Sequence, residues 1–316
     1  MQFVLARVNP WFNVFFSAAV LLCAVGLFSG CDQNAKPAAY QPEFGSKPQF
    51  AAPSKKEYLF GVHPLHNPER LFAVYGPIID LLNQRIPEVH LTLEASRNYD
   101  EFDKKLYARH FDLALPNPYQ TVNALKHGYR VFGKMGDDAM FRGIFIVRKD
   151  SGIRNVADLK GKAVSFPAKT ALAATMMPQY YLYQHGLPLN AYEASYVGSQ
   201  ESSIMNVYLG NTAAGATWPP PWIAFKKDHH DIAAQLKIQW MTAPLVNNSL
   251  VARDDFPPAL LKQIAEIIFS LHDSPQGREM LARIPLSRFE TASDATYQPV
   301  YEFIEKFAKT VPPVKE

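Results

Sequence analysis

The chain has 316 residues, with 32 Lys and Arg against 29 Asp and Glu and a formal net charge of +3. That near balance, without a basic stripe, excludes a nucleic-acid surface. The length points to about two domains, and the 48% hydrophobic content is ample for their cores.

The first element is an apolar run from Val14 to Phe28, preceded by Arg7 and Asn13 and followed by Ser29-Gly30-Cys31. The run is short for a transmembrane helix and ends in small residues. It resembles a bacterial lipoprotein signal, in which the thiol of Cys31 is acylated and becomes the first mature residue, although Phe28 stands where Leu is usual. The resemblance implies a signal peptide over residues 1–30 and lipid on Cys31, with Asp32 as an inner-membrane retention signal. A signal anchor with an incidental cysteine is the plainer alternative. Removal of residues 1–30 leaves 286 residues (316 minus 30) and takes away only Arg7 among the charges. Cys23 lies in the signal, so no mature thiol is left for a disulfide, a thiolate metal site or a cysteine nucleophile. Residues 31–57, rich in Pro, Ala, Ser and Lys, read as a flexible tether with a mean span of roughly 25–30 Å.

From Tyr58 short apolar runs alternate with amphipathic stretches. Strands are expected at Tyr58–Val62, Leu91–Glu94, Phe111–Leu115 and Tyr129–Phe132. Helices are expected at Glu69–Arg85, kinked or broken near Pro77, and at Asp100–Arg109 and Pro118–His127. The pattern restarts at Gly143–Val147. It continues through strands Lys162–Phe166, Ala194–Val197, Ala213–Thr217 and Lys237–Trp240, with helices Thr170–His185 and Glu201–Leu209 between them. A return segment, Val246–Val251, leads to helices Pro257–Leu271 and Tyr297–Phe307. Such alternation argues for βαβ units and mostly parallel sheets. Two α/β blocks with a returning chain suggest lobe I over residues 58–142 with 246–316, and lobe II over 143–245. Ligands in open α/β sheets bind beyond the strands' carboxyl ends, so two such surfaces would face one cleft.

Phe60-Gly61-Val62-His63-Pro64, Pro68–Phe72, Tyr75–Asn83, Asp112-Leu113-Ala114, Arg148–Ile153 and Asp158–Lys162 form an ordered series. It resembles the phosphate/phosphite/phosphonate-binding proteins of ABC importers, a branch of the type II periplasmic binding fold, from Tyr58 to about residue 275. The resemblance implies a two-lobed α/β fold with two mixed, mostly parallel sheets and a two-strand hinge. It implies an oxyanion held by hydroxyls and helix-start N–H groups, with a first-lobe tyrosine matched by Tyr119 after Asn117-Pro118. The second-lobe anion loop is matched by Phe166–Leu172, with Thr170 at an N-cap and Lys169 in place of a family serine. Lys169 is either a charge on the ligand or a solvated loop lysine. Gln200 stands for a family histidine, and Ala213 for an acid that meets a ligand ammonium, which favours a simple oxyanion over an aminoalkylphosphonate. Trp218 ends a strand and offers an apolar wall or packs under its loop. Arg142 faces either ligand or a carboxylate, and His63, flanking Pro64 with His66, either touches ligand or is structural.

His229-His230-Asp231 has no third ligand at useful spacing, so no metal is expected. No supported triad, carboxylate pair or nucleotide loop appears, so neither enzyme activity nor a cofactor is expected. The implied partners are a small oxyanion and either an ABC permease or a membrane sensor kinase, with the protein a lipid-anchored periplasmic monomer.

Overall fold

A computed structural model describes residues 55–311. The segment read as a signal, Cys31 and nearly all of the segment read as a tether therefore lie outside the described residues. The first strand, β1 (Lys56–Val62), begins two residues inside the segment read as tether. α1 (Pro68–Arg85) follows, then β2 (Val89–Ala95), α2 (Tyr99–Tyr107), β3 (Leu113–Leu115), α3 (Pro118–Leu125) and β4 (Tyr129–Met135). β5 (Ile144–Arg148) and β6 (Ala163–Phe166) come next. After them a wide helical turn at Leu172–Met176 runs into α4 (Met177–Gln184). Then come β7 (Glu193–Tyr196), α5 (Gln200–Tyr208), β8 (Ala214–Thr217), α6 (Pro219–Asp228), α7 (His230–Ala233) and β9 (Leu236–Met241). The chain ends with β10 (Ser249–Arg253), α8 (Pro258–Phe269), α9 (Pro275–Arg283), β11 (Phe289–Thr291) and α10 (Gln298–Thr310).

Two sheets result. The first has the order β11-β4-β10-β3-β1-β2 and the second β7-β6-β8-β5-β9. Strands joined by helices pair in parallel, as β1 does with β2 and β3, and β6 with β7 and β8. The strands that follow the two crossings, β5 and β10, are antiparallel to both their neighbours. They enter each sheet from the other one and so run against its βαβ strands. The sheets are therefore mixed, with more antiparallel pairing than helix–strand alternation alone implies.

The local rules behave as expected with two exceptions. α1 runs unbroken through Pro77. The carbonyl that loses its partner there belongs to Ala73, which is exposed, so water satisfies it. The helix expected from Thr170 starts later, at Leu172, and its first turn is wide because the Met177 N–H reaches the Leu172 carbonyl. Pro178 has no N–H to give Ala174 in an ordinary α-helical register, which favours the wider turn. Gly143 lets that turn lie close, since a Cβ there would sit 2.6 Å from the Ala173 carbonyl oxygen.

The crossings run side by side. Gly143 N–H donates to Thr242 Oγ1 at 2.9 Å, Thr242 N–H to the Gly143 carbonyl at 2.9 Å, and Leu245 N–H to the Phe141 carbonyl at 2.9 Å. Asn247 Nδ2 donates to the Gly136 carbonyl at 2.7 Å, and its N–H to Asp138 Oδ1 at 3.0 Å. These backbone commitments delay β10, expected from Val246, until Ser249. Lys134, buried beside them, pairs with Asp138 at 2.8 Å and Glu290 at 2.6 Å. The fully buried Tyr297 donates its hydroxyl to the Asn247 carbonyl at 2.6 Å. Tyr297→Phe strands that carbonyl without a partner, and urea unfolding should show a loss of about 1–3 kcal/mol. An unchanged midpoint would mean that this bond adds nothing to the crossing.

Candidate functional site

Five helix starts follow strand carboxyl ends around the junction of the two sheets, and what caps them decides which can serve a ligand. Asn67 accepts from Arg70 N–H at 2.9 Å, Asn98 from Glu101 N–H at 2.9 Å, and Asn117 from Tyr119 N–H at 2.9 Å. Ser199 accepts from Ser202 N–H at 3.0 Å. The start of α6 has no cap, but Pro219-Pro220-Pro221 carry no N–H groups there. A sixth start differs. Ala171 precedes Leu172 and offers no side-chain cap. The first N–H groups of this turn, at Leu172, Ala173 and Ala174, therefore have no intrahelical acceptor and are open donors at a positive dipole end.

These residues line a small cavity between the sheets, partly open to solvent and shared with His63, Tyr99, Asn117, Phe141, Gln200, Trp218 and Asn248. Its wall contains no Lys, Arg, Asp or Glu. Any anion held here is thus met by dipoles and neutral donors. Gln200 sits at the start of α5, which Ser203 fastens to the second sheet by donating to the Ala216 carbonyl at 2.8 Å. Gln200 Oε1 accepts from Thr217 Oγ1 at 2.8 Å, and its Nε2 donates to Tyr99 Oη at 3.3 Å across the junction. The Tyr99 hydroxyl proton is thereby left for another acceptor. Burial raises the Tyr99 pKa, so the phenol stays neutral. Phe141 and Trp218 meet edge to face at 5.4 Å and close the apolar side.

His63, 3% exposed, gives Nδ1–H to the Leu115 carbonyl at 2.9 Å. Burial lowers its pKa to about 4, against a smaller upward pull from that carbonyl. His66, in the same loop, falls to about 3, first through burial and then through Arg70.

The structure brings together four of the eight residues expected from sequence: His63, Asn117, Gln200 and Trp218. The other four do not line the cavity. Tyr119, half-buried, lies near Tyr107 and packs against the first core. Arg142 gives Nε–H to the Ala139 carbonyl at 2.7 Å, a local turn contact. Lys169 is exposed. Thr170 does not cap the helix, because the wide turn begins two residues later. Its carbonyl accepts from Asn117 Nδ2 at 2.9 Å, tying the loop to α3. Its Oγ1 is buried without a full hydrogen bond, yet near enough to Asp103 to favour the charged carboxyl. Tyr99, Phe141, Asn248, Ala173 and Ala174 were not expected, whereas Ala171 and Leu172 belong to the loop that the family resemblance matched to the anion site. Tyr99 follows Asn98 at a helix start after a strand, the same signal that selected Tyr119.

The architecture of two mixed α/β sheets, two crossings and a cavity at the strands' carboxyl ends is that of a type II periplasmic binding protein. Residues 60–297 match the family model described as ABC transporter, phosphonate, periplasmic substrate-binding protein, and the chain belongs to that family. Its members are substrate-binding components of transporters, not enzymes. The chain is similar to the probable ABC transporter phosphite binding protein PhnD1 of Prochlorococcus marinus, strain MIT 9301. Identity is 24% over 204 residues, 60% of this chain and 67% of that protein. Among solved structures it is similar to PhnD1 of the same organism in complex with methylphosphonate. That match has a TM-score of 0.74 and 21% identity, covering 80% of this chain and 99% of the other. The binding protein component of an ABC phosphonate transporter from Pseudomonas aeruginosa gives 0.75 and 15%, covering 81% and 88%. The aliphatic sulphonate binding protein SsuA from Escherichia coli gives 0.57 and 17%, covering 82% and 89%.

Asp103 lies behind the cavity wall. It accepts from Gln120 Nε2 at 2.6 Å, and Gln120 Oε1 in turn accepts from Asn117 N–H at 2.9 Å. Burial raises its pKa to about 6, against the pull of Gln120 and Thr170. The unfolded value is about 4. The folded chain thus holds an extra proton between the two values, and the stability present near pH 4 is lost as pH rises through 6. His63 and His66 titrate in the opposite sense, with stability gained as pH rises toward about 6.5. Asp103→Asn should isolate the carboxyl: relative to wild type it gains about 2–3 kcal/mol between about pH 4 and pH 8 in chemical denaturation. A pH-independent difference would show that Asp103 titrates normally.

Proposed function

We propose that this protein captures a small phosphorus oxyanion (phosphate, phosphite or a simple phosphonate) in the cavity between its sheets and passes it to an ABC permease. The observation that carries this reading is the uncapped turn Leu172–Ala174 facing the Tyr99 hydroxyl and the Gln200 amide in a wall free of carboxylates. Hydrogen bonds to a charged partner are worth about 1.5–3 kcal/mol each, so three or four support the roughly 8 kcal/mol of micromolar binding. Asn117, His63 and Trp218 complete the proposed contacts. Thr170, Lys169, Tyr119 and Arg142 act on the loops around them. The absence of an acidic group from the wall favours ligands without an ammonium. Lobe I (58–142 with 246–316) and lobe II (143–245) close over the ligand by bending at the paired crossings. Lipid on Cys31, with Asp32 beside it, holds the domain at the periplasmic face of the inner membrane.

Titration calorimetry of the purified domain tests the capture. Methylphosphonate, phosphite or phosphate should bind, and at about a hundred times its dissociation constant should stabilise the fold by roughly 2.7 kcal/mol. Gln200→Ala should weaken that binding by about tenfold or more. No binding by any of the three would end the oxyanion reading. Separately, mass spectrometry of the mature N-terminus should find acylated Cys31, and an unmodified cysteine there would remove the anchor.

A further inference from the structure

The cavity holds one group that an anion alone does not suit. His63 donates Nδ1–H to a backbone carbonyl, which can only accept, so the tautomer is set. In the neutral ring Nε2 is then an acceptor, and no other described residue bonds it. His63 lines the cavity, and Nε2 is the ring nitrogen that the backbone bond leaves available to a ligand. Asn248 Oδ1, in the same wall, is also buried without a partner. A fully deprotonated oxygen placed against the Nε2 lone pair would be repelled.

We infer that the occupied site holds one proton between His63 Nε2 and a ligand oxygen, so that it selects oxyanions with a titratable O–H and rejects sulfonates and sulfate. The inference rests on the reading of the cavity as an oxyanion site. The proton arrives on the ligand, as the singly protonated phosphonate, phosphite or phosphate. A sulfonate brings none at neutral pH and leaves the lone pair facing charge. Burial keeps the empty ring neutral, which makes the proton the ligand's to supply. Few other titratable groups compete. From α2 His63 meets the rings of Tyr99 at 6.1 Å and Phe102 at 6.4 Å. From its own loop it meets His66, itself held neutral. The residues contributed by the Ala171–Ala174 turn, α5, β8 and the second crossing carry no titratable side chain into the wall.

The test compares methylphosphonate with methanesulfonate, which share shape and differ in the titratable O–H, by calorimetry on the wild-type protein and on His63→Gln. Wild type should prefer the phosphonate by about ten- to a hundredfold, the cost of an unpaired buried acceptor. Well above the second ionisation of methylphosphonate, titrations in two buffers of different ionisation enthalpy should show uptake of about one proton per ligand from solution. His63→Gln can donate an amide N–H instead, so the preference should shrink at least about tenfold through gained sulfonate affinity. Phosphonate binding without proton uptake, or equal affinity for the two ligands in wild type, overturns the inference and leaves the oxyanion reading standing. Failure of every phosphorus oxyanion to bind overturns both. The wild-type arms decide even if the variant does not fold.

Discussion

The site depends on two chain crossings being bonded to each other. Gly143 and Thr242 exchange hydrogen bonds, and Leu245 bonds Phe141, so the second sheet is held at a fixed place beyond the ends of the first. Phe141 and Asn248, at the edges of those crossings, are themselves parts of the cavity wall. The close approach that Gly143 permits brings the Leu172–Met176 turn against the same junction. One arrangement of backbone therefore positions an apolar lid, a buried amide and the open N–H donors together.

The first core does not stop at the first sheet. It continues through Phe141 into Ala171–Ala174, Met176, Met177 and Trp218. The second sheet has separate clusters on its two faces, around Phe166 and around Trp222. The cavity is thus a polar opening within apolar packing, which explains why His63 is neutral and why Tyr99 keeps its proton. Desolvation penalises every charged form in such a place, and only hydrogen bonds offset it. The wall has neutral donors because a lysine or arginine there would need its own buried partner.

Much of the fold was legible because β and α periods differ so clearly. Val62, Leu115 and Thr217 ended strands where the pattern said they would. α9 and β11 were missed: the first is largely polar and the second has three residues. The candidate site was half legible. Strand ends and helix starts located His63, Asn117, Gln200 and Trp218, because topology fixes where those backbones lie. Side-chain direction is not fixed by topology. Tyr119 lies near Tyr107 and outside the cavity wall, while Tyr99, also at a helix start but not selected, lines it. Thr170 was displaced by the consequence of a proline eight residues on, a non-local effect that a capping pattern does not encode. The resemblance reached the anion loop only as far as Leu172, and nothing in the sequence marks Ala173 and Ala174 as donors, since their contribution is backbone alone.

Arg70 of α1 and Asp228 of α6 form an ion pair between the two halves, where they line a separate surface cleft. Their side chains are 31% and 38% exposed. Dissolved ions weaken such a half-solvated pair, with a screening length of about 8 Å at physiological ionic strength. The cores and the cavity's neutral hydrogen bonds are nearly indifferent to salt. Salinity therefore acts on this protein at the seam between its halves, and sets how firmly they are held together before it changes anything that touches a ligand.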